Sequence, residues 1–439
     1  MIVKKKTFCL SLMCIAIGIL IVYFSSGFSD SPVQFSLRVI VGVLFVYCIA
    51  KGIAQEEKIN PFLLFSLTPL SLLIYTDKIS SKYLMHLDDT TWVLAVLNIS
   101  AFLVSLSFYT RKKSIDESNR EIRENNEVLE DNQRKKLINH ALILFLLSII
   151  PDVCRSVLGT SFFLGSTIAY FKYPALACAW KSKSKHLLIV MYLYVLVSFA
   201  TKFNKSIFLS IGIVTILCIQ RYGLSGEKNE KKLYLGILFA SLFMVFVAFP
   251  MKELVQGQNN FSFSNLLSSI TKYYSGENNY YSKTISWNGP AVLQMPYMYL
   301  VSAWNNVQYV IQTQSEHTNG LWLFKPIISW LQLDSFFASE YSLIPYSSFN
   351  TFGFVTVLYK DFGIVGSAFG SLFLGVFVAK VFNRFRVSNS PLDLACYAMT
   401  AQATLEMFFS NHFFQLSYPF TIILICWVYK LVSKGAKEL

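Results

Sequence analysis

Stretches of roughly 20 consecutive apolar residues recur along this chain, and no other feature restricts its fold as strongly. A hydrocarbon slab about 30 Å thick takes about 20 helical residues to cross. Inside it, only helices and closed barrels satisfy their own backbone hydrogen bonds. The stretches are continuous runs of Leu, Ile, Val and Phe rather than alternating patterns, so helices are expected and a barrel is not. They are too many to form one buried core. Composition agrees: 54% of the 439 residues are hydrophobic and 14% charged, whereas a soluble domain is about 25% charged because its surface must be wet.

About twelve spans are expected, at approximately 8–24, 33–50, 60–76, 91–109, 137–150, 160–180, 187–201, 206–221, 233–250, 361–381, 391–409 and 416–432. Lys4-Lys5-Lys6 before Phe8 to Phe24 has the layout of a signal sequence, but no small-residue cleavage site follows, so a retained first helix is expected. Basic connections mark the cytoplasmic side. With both termini inside, the inner segments hold about 26 of the 38 Lys and Arg residues. The net charge of +13 therefore follows the membrane rather than pointing to nucleic acid.

This arrangement divides the chain into a membrane region of about nine spans (1–250), a large outer loop (251–360) and a second membrane region of about three spans (361–439). The inner connection from Arg111 to Lys136 mixes both charge signs, as a solvated connector or short surface helix does. The outer loop holds Trp287, Trp304, Trp322, Trp330 and many Tyr and Phe. Its run Tyr297–Tyr309 suggests helices at or dipping into the interface, where amphipathic aromatics settle. Seven of the eight cysteines fall in apolar runs and one, Cys154, in an outer connection, so no disulfide framework is expected.

GxGxxG, Walker A, GxSxG and HExxH motifs are all missing. The informative residues are ionisable groups at the outer level, where their placement is costly. Lys202 and Lys205 lie in a very short outer turn, against the positive-inside bias. They could reach lipid phosphates or, with Arg155, Lys252 and Lys172 at a similar level, hold a pyrophosphate without metal. His317 beside Glu316 in the outer loop could act as a general base or be an ordinary surface histidine. Glu406, with His412 beyond it, is either a structural polar contact or part of a site. Asp361-Phe362-Gly363 is expected to begin a span, with Asp361 complementing the positive helix end. Gly366-x-x-x-Gly370 is expected to permit close helix packing.

The stretch Asn350-Thr351-Phe352, followed by Leu358-Tyr359-Lys360-Asp361-Phe362-Gly363-Ile364-Val365-Gly366, resembles the late motif of bacterial oligosaccharide repeat-unit polymerases, the Wzy-type O-antigen and capsule polymerases. Tyr299 to Trp304 and Gly320 to Ile327 resemble that family's outer loop. The Lys202–Ser206 turn sits where many members carry Gly-Ser-Arg, and it departs from that pattern. Motif-level similarity covers roughly residues 295–385; elsewhere the resemblance is one of topology.

The resemblance implies an integral membrane fold like that of the glycosyltransferases of the C class. It also implies transfer of a growing glycan from undecaprenyl pyrophosphate to a lipid-linked repeat unit, with neither metal nor nucleotide cofactor. Lys205, Lys202, Lys252 and Arg155 would hold the pyrophosphate. His317, or next Glu316, would be the base, and the loop's aromatic faces would bind sugar. The implied partners are membrane lipids, the lipid-linked oligosaccharide, and a chain-length regulator and flippase of the same pathway. The alternatives are an O-antigen ligase, which shares the topology and an outer-loop histidine, and a lipid-linked oligosaccharide flippase or other transporter.

Overall fold

The computed structural model describes residues 31–55, 57, 59–75, 84–110, 131–158, 168–202, 205–223, 235, 291–313, 316–331, 333–337, 351–410 and 417–438. These are helices and their connections, and no strand occurs among them. In chain order the helices are α1 (Pro32–Ala54), α2 (Pro61–Phe65), α3 (Leu67–Leu73), α4 (Asp89–Tyr109), α5 (Asp131–Leu158), α6 (Lys172–Lys181), α7 (Lys185–Lys202) and α8 (Lys205–Tyr222). There follow α9 (Ala291–Thr313), α10 (Leu321–Trp330), α11 (Asp334–Phe337), α12 (Phe354–Val387), α13 (Pro391–Glu406) and α14 (Ser417–Glu438).

Four helices are long and apolar enough to cross a membrane: Pro32–Ala54, Asp89–Tyr109, Asp131–Cys154 and Phe354–Val387. Shorter apolar helices at Pro61–Leu73, Lys185–Ser198, Leu209–Tyr222 and Phe420–Leu431 coincide with four more of the expected spans. The described residues are thus those of an all-helical protein with helices long and apolar enough to cross a membrane. The expected spans 8–24 and, apart from Leu235, 233–250 lie outside the described residues.

Local chemistry sets several helix starts. Ser31-Pro32 and Asn60-Pro61 each place a capping side chain before a proline that lacks the amide a first turn would leave unpaired, and Ser390-Pro391 repeats the pattern. Ser31 Oγ accepts from Gln34 N at 3.1 Å, and Asn60 Oδ1 from Leu63 N at 3.1 Å. Asp88 caps α4 through Thr91 N at 2.9 Å.

Two expectations about elements are revised. The span expected over 60–76 is broken into α2 and α3 at Ser66, because the ring of Pro69 clashes with the carbonyl four residues before it in a continuous helix. α5 runs from Asp131 through Pro151 to Leu158, so the end of the charged connector is helical and Cys154 is on a helix. Of the region expected as span 160–180, residues 168–180 are described and are helical throughout, with Phe171 passing directly into α6.

Tyr297–Tyr309, expected in helices at or dipping into the interface, belongs to the 23-residue α9, in which Met298, Val301, Ser302, Trp304, Asn305, Asn306 and Gln308 are buried. Its polar side chains find partners inside the protein. Trp304 Nε1 donates to Ser71 Oγ at 2.8 Å, and Asn305 Oδ1 accepts from Met85 N at 2.6 Å. Gln308 Oε1 accepts from Asp88 N and from Thr91 Oγ1, at 2.8 and 2.6 Å.

α13 is buried nearly all round, as a central helix must be. α12 packs most extensively on α4. Close approach there depends on Gly375, where an added Cβ would lie 2.0 Å from Ser105 Oγ and 2.4 Å from the Phe102 carbonyl oxygen. Fully buried Asn98 locks the pair, donating to Ser367 Oγ at 3.1 Å and accepting from Ser371 Oγ at 2.6 Å. Such polar contacts hold helices together where the solvent is itself apolar.

α12 is not one rod. Gly363 has φ 68° and ψ −165°, which breaks the helix into segments 354–362 and 364–387. This backbone region is essentially open to glycine alone. A Cβ on Gly366 would lie 2.3 Å from Cβ of Phe362, and one on Gly370 would lie 2.5 Å from Cδ2 of Leu358. Leu358 is three turns from Gly370 along a straight helix, so the first segment folds back against the second. Gly366-x-x-x-Gly370 does permit close packing, but of α12 on itself.

Candidate functional site

The fold-back of α12 creates an unusual docking place. In an unbroken helix the carbonyls of Lys360 and Asp361 would accept from the amides of Ile364 and Val365. After the break, a loop from a distant part of the chain takes them: Thr318 N donates to Lys360 O and Asn319 N to Asp361 O, each at 2.9 Å. The loop then turns sharply through Asn319 (φ 51°) and Gly320 (φ 93°) into α10. Both residue types tolerate this left-handed region better than others do.

Asp361 answers in kind. Its Oδ1 accepts from Trp322 N at 3.0 Å and its Oδ2 from Leu323 N at 2.9 Å, while Thr318 Oγ1 donates to Oδ1 at 2.5 Å. The carboxylate thus satisfies first-turn amides of α10 and complements that helix's positive end. Asp361 caps a helix, as its sequence context suggested, but the helix is α10 rather than its own. Its own helix starts at Phe354, seven residues earlier, so the span expected over 361–381 is longer and broken. The two elements cap each other.

His317 sits in the middle of this graft, exposed to the surroundings. Its ring meets Tyr359 edge-on at 5.4 Å between centroids. Nε2 lies 2.8 Å from where a Cβ on Gly363 would be, so the missing side chain of Gly363 is the seat of the imidazole. Lys360, itself buried, donates from Nζ to the carbonyl oxygen of Glu316 at 3.0 Å. The Glu316 side chain is exposed, and among the described residues it forms no hydrogen bond or ion pair with the His317 ring. The imidazole is therefore oriented by Tyr359 and Gly363 and not by its neighbouring carboxylate.

The other end of the first α12 segment is anchored too. Phe354 N donates to Met407 O at 3.1 Å, and Gly353 lies so close to Phe408 O that a Cβ would be 2.8 Å away. Thr351 straps this entrance to α9, with Ser302 Oγ and Thr351 Oγ1 2.6 Å apart and Asn306 Nδ2 donating to Thr351 O at 2.7 Å. One residue before Met407, buried Glu406 closes α13. Gln402 Nε2 reaches Glu406 Oε1 at 3.4 Å, while Gln402 Oε1 accepts from Ser210 Oγ at 2.8 Å and from the Tyr173 hydroxyl. Glu406 thus belongs to a polar network joining α13, α8 and α6.

The remaining candidates are only partly placed. Lys202 ends α7 and Lys205 begins α8. Arg155 lies in the last turns of α5. The side chains of all three, and Lys252, Asn350 and His412 entirely, lie outside the described residues. Among the described residues, no three His, Cys, Asp or Glu side chains gather as metal ligands.

Thr318, Tyr359 and Lys360 were not among the residues singled out as functional, yet they fix the position of His317. The available signal was a loop with a turn-forming Asn-Gly pair and a helix with a glycine in its interior. Neither reveals that the two meet. The fold and site together define a helical protein with helices long and apolar enough to cross a membrane and an exposed histidine held on a broken helix. Comparison with family models, with curated proteins and with solved structures finds no match for this chain.

Proposed function

We propose that this chain is a membrane-embedded glycosyltransferase that polymerises lipid-linked oligosaccharide repeat units. The single observation that carries the proposal is the docking of the His317 loop on the Asp361-Phe362-Gly363 break. Two stretches of the family resemblance, far apart in sequence, meet there. An exposed imidazole held on a rigid bed is what a general base requires.

In the proposed reaction, His317 accepts the proton of a sugar hydroxyl on the incoming lipid-linked unit. The freed oxygen attacks the anomeric carbon of the growing glycan as the bond from that carbon to undecaprenyl pyrophosphate breaks. The electron pair leaves on the pyrophosphate, whose charge Lys205, Lys202, Lys252 and Arg155 would neutralise through charge-assisted hydrogen bonds. General-base assistance contributes roughly 10² to 10⁴ in rate. Undecaprenyl pyrophosphate is already a good leaving group, so the scheme calls for no metal or nucleotide.

The accompanying topology has about twelve spans, both termini in the cytoplasm, and the His317 loop on the outer face of a bacterial cytoplasmic membrane. Its support is the basic-residue bias of the connections. The deciding experiment is a gel of surface polysaccharide from a deletion strain. Loss of the ladder with a single anchored repeat unit retained marks a polymerase. Loss of the single unit as well would sink the assignment in favour of ligase or flippase. Complementation with His317→Ala and Lys205→Ala then tests the named roles, at matched protein level in the membrane.

A further inference from the structure

The ring of His317 is held by contact alone. No hydrogen bond to it occurs among the described residues, and it rests between Tyr359 and the bare face of Gly363. A base must keep its ring nitrogens free for the substrate's proton, so something else has to fix where it stands. The residues on either side of it are the ones pinned. Glu316 is held through its carbonyl by Lys360 Nζ, and Thr318 through its amide by Lys360 O and through its hydroxyl by Asp361 Oδ1. Among the described residues, only the Asp361 side chain links the loop and α10 at once, by bonding to Thr318, Trp322 and Leu323 together.

From this geometry we infer that Asp361 is a positioning residue: its carboxylate, acting through Thr318 and the first amides of α10, holds the His317 imidazole on Gly363 in register for proton transfer. The inference rests on the proposed function for the meaning of that register. The placement of the ring is a separate matter and can be measured without activity.

Asp361→Asn keeps the shape but supplies one acceptor oxygen where the carboxylate offers two, so the bonds from Trp322, Leu323 and Thr318 cannot all persist. Two readouts are taken at matched protein level. In a strain lacking the native copy, the variant should lose at least about tenfold of the long polymer, the scale of a misplaced catalytic group. Combining it with His317→Ala should cost no more than His317→Ala alone, since residues acting as one unit are not additive. In purified protein carrying His317→Cys, maleimide labelling of the peptide containing position 317 is followed by mass spectrometry. Adding Asp361→Asn should raise its rate at least about threefold, as the loop leaves its bed.

A full ladder from Asp361→Asn in a background where His317→Ala abolishes polymer would overturn the inference, as would an unchanged labelling rate. Should Asp361→Asn fail to accumulate, Thr318→Val removes only the hydroxyl link. It must then shift both readouts in the same direction by a smaller amount, and no shift again refutes the positioning role. If His317→Ala keeps its ladder, the base assignment falls, and labelling alone decides whether Asp361 sets the ring's position.

Discussion

Gly375→Ala is the sharpest test of how α4 and α12 are held together. The new methyl carbon would stand 2.0 Å from Ser105 Oγ and 2.4 Å from the Phe102 carbonyl oxygen. The hydroxyl can rotate away, but the carbonyl belongs to the α4 backbone and cannot. A carbon rests no closer than about 3.3 Å to such an oxygen, so the helices must part by about 1 Å. A gap of that size forfeits about a quarter to a half of each van der Waals contact, and each contact is worth ~0.1–0.2 kcal/mol. Across the broadest helix pair among the described residues, the loss falls in the range of about 1–3 kcal/mol typical of overpacking. The better helix propensity of alanine returns at most about 1 kcal/mol.

The expected net effect of Gly375→Ala is a destabilisation of about 1–2 kcal/mol, read as a lower midpoint in heat-induced aggregation of detergent-purified protein. Gly212→Ala is the control, because nothing lies within 4 Å of its Cβ position. It should be neutral or slightly stabilising. Adding Ser105→Ala to Gly375→Ala should restore only part of the loss, since the carbonyl contact remains. A Gly375→Ala protein as stable as Gly212→Ala would refute the close-packed seam.

Gly363→Ala combines a backbone conformation open essentially to glycine with a methyl at 2.8 Å from His317 Nε2. It should cut long polymer at least about tenfold while the membrane level of the protein stays near the parent's, checked by gel and immunoblot. Asn98→Ala should destabilise by roughly 1 kcal/mol, and a double-mutant cycle with Ser371→Ala should give a coupling of about 0.6–1.7 kcal/mol; additive effects would mean that the buried bond contributes nothing. For orientation, Asn319→Cys should react with an impermeant maleimide on intact cells, and Lys183→Cys only after permeabilisation. The reverse pattern would invert the proposed topology.

How far the sequence revealed this protein depends on the range of the interaction concerned. Apolar length and proline-marked starts act locally, so the ends of α1, α4, α7 and α8 fall within a few residues of expectation. Breaks are harder to foresee. Pro69 carries its own signal and was passed over, whereas Gly363 looks like any glycine in a membrane helix until its φ is known. Burial of polar residues is harder still. Asn305, Asn306 and Gln308 carry no local mark of burial, and they are interior because Met85, Asp88, Thr91 and Thr351 stand opposite them. At the site, Asp361, Gly363 and His317 are each legible as candidates. Their union depends on backbone bonds across some 40 positions of chain, which no local pattern encodes.

The mutual capping of α10 and α12 also bears on how such a chain can drift. Of the ties that bind the His317 loop, several run from main-chain amide to main-chain carbonyl and are indifferent to which residues supply them. The few demanding letters are an acid at 361, a glycine at 363, a hydroxyl at 318 and residues at 319 and 320 that accept a left-handed turn. Almost everything around them can be rewritten without moving the histidine. Two proteins could share this arrangement while aligning at a mere handful of scattered positions, and a search for their kinship should begin with the shape of a broken helix rather than with a string of residues.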